Sequence, residues 1–96
     1  MFMEEQIASI MRLILLRLIK MDKWSGAHTA LRNATKGLPS RYLSTSKGKK
    51  AVKKALKELT NKGFLLVKPS TDEIHVSLDS HKAREIDDFL QKVKNY

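Results

Sequence analysis

The chain has 96 residues and a formal charge of +9, from 19 Lys and Arg against 10 Asp and Glu, and it has no cysteine. That length is one domain's worth, read here as a single domain over residues 1–96 with one modest core. The missing thiols exclude a disulfide framework and a thiolate metal site, which suits a cytoplasmic setting, and the charge points to an anionic partner.

The first element is a helix through IASIMRLILLRLIKM, Ile7 to Met21. Arg12, Arg17 and Lys20 interrupt the apolar run, so no stretch approaches the ~20 uncharged residues of a membrane span. Glu4 and Glu5 stand where a signal peptide would be basic. Acids early and bases late suit the helix dipole. Ile7, Ile10, Met11, Ile14, Leu18 and Met21 form a core stripe, while Leu13, Leu16 and Ile19 fall outside it, Leu16 at about 180°. A helix apolar nearly all round needs a second cover, and a homodimer through Leu13, Leu16 and Ile19 is the expected one.

Met21 to His28 reads as a connector containing Trp24, Ser25 and Gly26. Thr29 is placed to cap a short helix over Ala30–Lys36, stopped by Gly37-Leu38-Pro39. Ser40 to Thr45 reads as a polar turn with Tyr42 and Leu43 turned inward.

Residues 47–63, KGKKAVKKALKELTNKG, carry seven lysines and one glutamate. On a helix, Lys47, Lys50, Lys53, Lys54 and Lys57 fall within about 60° of one line, opposite Ala51, Val52, Ala55, Leu56 and Leu59. A merely solvated face would mix signs and place Glu four residues before Lys. This face has one sign, the arrangement expected where a helix meets a polyanion. Lys47, Lys49 and Lys50 also crowd the first turn, where the dipole disfavours cations, so an anion would relieve the conflict, with Gly48 letting a phosphate approach the backbone. Ser46 is the expected cap. Ser44, Thr45 and Ser46 are read as nucleic-acid contacts or as capping residues. Arg41, the nearby guanidinium, suits bidentate guanine readout, or is a surface arginine in a turn.

Gly63 should end the helix in a Schellman-like stop, with Phe64 reaching Leu59. Phe64–Lys68 and Ile74–Leu78 then read as two strands, the second with Ile74, Val76 and Leu78 inward and His75 and Ser77 outward. The turn between them ends in acids, Asp72-Glu73, although Lys68 and Thr71 could touch a phosphate. Asp79 caps a last helix with Ile86, Phe89, Leu90 and Val93 on one face.

Other chemistry finds little footing. His28, His75 and His81 lie far apart in sequence without paired metal-ligand spacing. Gly48-Lys49 lacks the glycine and the Ser/Thr of a phosphate loop, because Leu43 and Lys50 hold those positions. Asp87 and Asp88 adjoin on a helix and so point apart. No nucleophile–base pair can be assigned, and the chain is read as non-enzymatic, with no metal, cofactor or small-molecule ligand.

Three helices, a two-stranded hairpin and a closing helix, in that order, resemble a winged helix-turn-helix: an α+β fold with a three-helix core, a hairpin wing and an extra C-terminal helix. More narrowly, GAHTALRNATKGLP, then GKKAVKKALKELTNKGFLLVKP, then VSLD, resemble small archaeal winged-helix proteins. The resemblance implies that the lysine helix, third in this order, enters the major groove of duplex DNA while the hairpin forms the wing. A transcriptional regulator or chromosome-associated factor is the function it implies. An RNA-binding or acidic-partner module is the alternative, with an anionic membrane surface behind it. Lysine reads charge well and base identity poorly, so affinity without much sequence selectivity is expected.

Overall fold

The structure is a computed structural model and describes residues 4–93. Its elements run α1 (Glu4–Lys20), β1 (Thr29–Ala30), α2 (Leu31–Thr35), α3 (Ser40–Leu43), α4 (Ser46–Asn61), β2 (Leu65–Pro69), β3 (Ile74–Leu78), a 3-10 turn (Ser80–Lys82) and α5 (Ala83–Lys92). The chain is therefore α+β, with five α-helices and a three-stranded antiparallel sheet of order β1-β3-β2 among the described residues. The lysine helix is α4, because a one-turn helix, α3, occupies the segment expected to be a polar turn.

Burial of α1 organises the core. Ile10, Ile14, Leu15 and Leu18 are wholly buried, and Ile7 and Met11 nearly so. Helix α1 packs against α4, α2 and β3 together, which widens its buried arc beyond the expected stripe. Leu15 is inside for that reason, and Met21 is only half-buried. The same widening narrows the expected second apolar face: Leu13 and Ile19 pack partly against the core of their own chain, and of the three only Leu16 is exposed, at 37%.

The third strand comes from residues expected to begin a helix. Thr29 pairs with Val76 and Ala30 with His75, and α2 starts immediately afterwards at Leu31. Thr29 does not cap α2; its hydroxyl accepts from the Asn33 side chain at 3.1 Å. The connector before β1 is laced to β3. Leu78 donates its N–H to the Lys23 carbonyl, Ser25 donates its N–H to the Leu78 carbonyl, and the Ser77 hydroxyl donates to the Ser25 carbonyl at 2.8 Å. Ser77, expected outward, is buried under this connector.

Helix α4 ends as its sequence predicts. Gly63 has φ +79, Gly63 N–H donates to the Thr60 carbonyl, and Phe64 N–H donates to the Leu59 carbonyl. These are the two bonds of a Schellman stop, which side-chain-bearing residues form less readily because of the left-handed backbone at Gly63. The hairpin follows in the register Leu65↔Leu78, Val67↔Val76, Pro69↔Ile74. Ile74 is on the helix-facing side as expected, yet it is 47% exposed. The tip stands away from α4, so burial fades along β3 from Leu78 to Ile74. Asp79 caps the 3-10 turn through His81 N–H, and that bond holds its carboxyl below the usual 3.8 despite an opposing effect of burial. Helix α5 closes the core with Ile86 and Val93, and Phe89 meets Phe64 edge to face at 6.0 Å.

Candidate nucleic-acid interface

Helix α4 is set by three neighbours, α1 behind it, α3 at its start and β2 beside it. Its cap is Thr45 rather than Ser46: the Thr45 hydroxyl accepts from Gly48 N–H at 2.9 Å and donates to the Arg41 carbonyl at 2.9 Å. Ser44 donates its hydroxyl to the Ser40 carbonyl at 2.7 Å. Both hydroxyls thus build the α3–α4 corner, which favours their capping role, and Ser46 is the exposed first residue of α4.

Gly48 differs from its expected role. A Cβ there would lie 2.2 Å from the Arg41 carbonyl oxygen and 2.6 Å from Tyr42 Cα. The glycine lets the backbone of α3 approach, so it is buried and not open to a phosphate.

Ala51, Ala55 and Leu59 are the buried line of α4, and Lys47, Lys50, Lys53, Lys54 and Lys57 are all exposed. Measured from that buried line, Lys53 and Lys57 lie opposite it, within about 20°, and Lys50 is about 40° away. Lys54 and Lys47 fall toward the α1 side. Lys49, which centring on the lysines themselves left out, is exposed and about 60° from the outermost line, closer than Lys47. The buried stripe, not the charges, is the better reference for finding the outward face. Among the described residues, none of these lysines has an acid within ion-pair distance; the ion pairs present join Arg32 to Glu73 and Lys82 to Glu85, and Glu73 and Asp79 also face the His75 and His81 rings. Glu58, the acid on α4, is half-buried beside a groove of about 630 Å³ between α1, α4 and α5.

Arg41 is exposed but folded back. Its guanidinium lies 4.6 Å from the Tyr42 ring centroid and donates to the Tyr42 hydroxyl at 3.3 Å. Reading a guanine would require it to leave that ring, a contact worth about 0.5–1 kcal/mol at an exposed site.

The hairpin tip differs electrostatically from its sequence. Glu73 turns back onto Arg32 of α2, leaving Asp72 as the outward acid. Lys68 pairs with His75 on the sheet face away from α4, by strand alternation, and is therefore not beside the lysine row. Between α4 and the tip runs an apolar trough of about 570 Å³, lined in part by Leu31, Val52, Leu56 and Ile74. Among the described residues, no three His, Asp or Glu side chains cluster to hold a metal ion, and no helix is long and apolar enough to cross a membrane. Comparison with protein-family models, with curated proteins and with solved structures finds no match to this chain.

Proposed function

We propose that this chain is a winged helix-turn-helix that binds duplex DNA through the outward face of α4, as a transcriptional regulator or chromosome-associated factor. The observation that carries the reading is the row Lys50, Lys53 and Lys57, with Lys54 at its α1-side edge, exposed on one helix with no acid among the described residues within ion-pair distance. The element order and the β1-β3-β2 sheet are compatible with a winged helix, the hairpin serving as its wing. Phosphates are the complement of such a row, and lysine supplies positioning rather than base readout. In this reading Arg41, Ser44, Thr45 and Ser46 border the contact, and Lys47 and Lys49 flank it.

A salt titration on a short duplex tests this. Engagement of about five phosphates predicts that log affinity falls against log salt with a slope of about −4 to −5. A slope near zero, or no binding at low salt, would overturn the reading. One observation favours a second reading, a protein partner: Ile74, 47% exposed, lines the trough beside the lysine row, and Val67, 48% exposed, lines an adjoining hollow with Ile74. Duplex RNA offers the same phosphate charge but a deep, narrow major groove that a helix cannot enter, so a duplex RNA competitor separates the two.

The dimer has narrower support than its sequence suggests. Beyond half-buried Leu13 and Ile19, α1 offers Leu16 and a recess of about 180 Å³ beside Gly37. A stable interface needs about 800 Å² per partner. Light scattering is expected to find one chain per particle at micromolar concentration, and a concentration-independent dimer would restore the α1 interface.

A further inference from the structure

We propose that His28 and His75 form a proton-controlled latch that fastens β1 and α2 to the hairpin, closed at neutral pH and released by acid. Such a latch does not depend on what α4 binds. His28 immediately precedes β1, and His75 lies on the central strand β3. Their Nδ1 atoms are 2.8 Å apart, with ring centroids at 4.8 Å and planes at 67°. A contact this short needs one hydrogen between the two nitrogens, so one ring donates and the other accepts through its lone pair. When both rings are imidazolium, both Nδ1 atoms are donors and two positive charges face each other. The contact then becomes repulsive.

The groups around the pair reinforce that limit. Lys68 lies across on β2, and Lys23 reaches in from the connector. On the far side of His75, Glu73 places a carboxylate oxygen 3.7 Å from Nε2, and Arg32 of α2 holds that carboxylate in turn. Glu73 therefore favours a proton on Nε2 of His75 and turns its Nδ1 toward His28. Burial first, then Lys68, His75 and Lys23, lower the proton affinity of His28 below its usual 6.5. The released segment thus binds more protons than the latched one as pH falls below 6.5. The latch is at full strength above that value and weakens below it.

The seam it guards is short, although the connector before it is bonded to the other end of β3 through Lys23 and Ser25. Strand β1 pairs with β3 through two residues only, Thr29↔Val76 and Ala30↔His75, and the five-residue α2 follows at once. Among the described residues, the Arg32–Glu73 ion pair is the other polar side-chain tie between α2 and the hairpin, beside apolar Leu31 and Ile74, and both its partners are exposed. Opening the latch loosens β1 from the hairpin while the Schellman stop still fixes the hairpin's base to α4.

Amide hydrogen exchange on the full chain, in EDTA-containing buffer at about pH 7.5 and about pH 5.5, tests the latch. After correction for intrinsic exchange, protection at Thr29 and Val76 should fall by about tenfold in acid relative to Ala55 and Leu59 of α4. His28→Asn and, separately, His75→Asn should flatten that pH response. If either variant fails to fold, the imidazole nitrogen shifts of the wild type decide: coupled titration of the two rings supports the latch, and independent titration overturns it. An unchanged wild-type seam, or the same acid response in both variants, would also overturn it. So would tightening of the seam by Zn²⁺ in EDTA-free buffer without any pH response, which would make the pair metal ligands.

Discussion

Gly48→Ala should destabilise the chain by about 3 kcal/mol or more, although the same change in an exposed helix interior normally stabilises by up to about 1 kcal/mol. The sign reverses because the new methyl would meet backbone rather than a movable side chain: 2.2 Å to the Arg41 carbonyl oxygen, 2.6 Å to Tyr42 Cα and 2.8 Å to the capping hydroxyl of Thr45. Relief requires α3 and α4 to separate, which costs the Thr45 cap and the burial of Tyr42. A domain of this size has about 5–15 kcal/mol in total, and each kcal/mol moves the midpoint by about 4–8 °C. Thermal melting should therefore show a fall of more than about 10 °C. Gly26→Ala, where nothing lies within 4 Å, is the control and should leave the midpoint in place. An unchanged or raised midpoint in Gly48→Ala would mean that α3 is not packed on the start of α4.

That glycine also shows where sequence reasoning reached its limit. Its presence in a lysine-rich first turn suggested a backbone opened to a phosphate, and only the position of α3 reveals that the space is already filled. Helix α3 itself, four residues long, and β1, two residues long, have no period to read, so neither could be told from a turn or a helix start. Ser77 followed strand alternation and should have pointed to solvent, but the Trp24–Ser25 connector returns across the sheet to cover it. Elements long enough to carry a pattern were legible: the buried face of α4, its stop at Gly63, the span Ile74–Leu78 and the Ile86 face of α5. For the candidate site, the lysine face was readable because a 16-residue helix fixes its own azimuths. The fate of the charges around it was not. Arg41 lies on Tyr42, and Glu73 is bound to Arg32 from α2, contacts set by tertiary packing.

The outward line of α4 makes the strongest binding prediction. Lys53 and Lys57 stand opposite its buried residues, so a duplex docked on this face must meet both. Removing one lysine–phosphate pair should weaken binding by about eightfold near 0.1 M salt, since a slope of about −0.9 per pair runs over one decade from 1 M. Lys53→Glu with Lys57→Glu removes two such pairs and sets two carboxylates against the phosphates, so affinity should fall by about a hundredfold or more and the salt slope should flatten by at least about two. The change also lowers the net charge from +9 to +5, two units for each replacement. The control therefore makes the same change elsewhere: Arg84→Glu with Lys92→Glu, both exposed on α5, also gives +5. If α4 is the docking face, the α5 double variant should bind only a few-fold more weakly, through the overall field, with its slope nearly intact. Equal weakening by the two double variants, with circular dichroism unchanged in both, would mean that the chain attracts DNA through net charge alone. The lysine row would then not be the docking face for DNA.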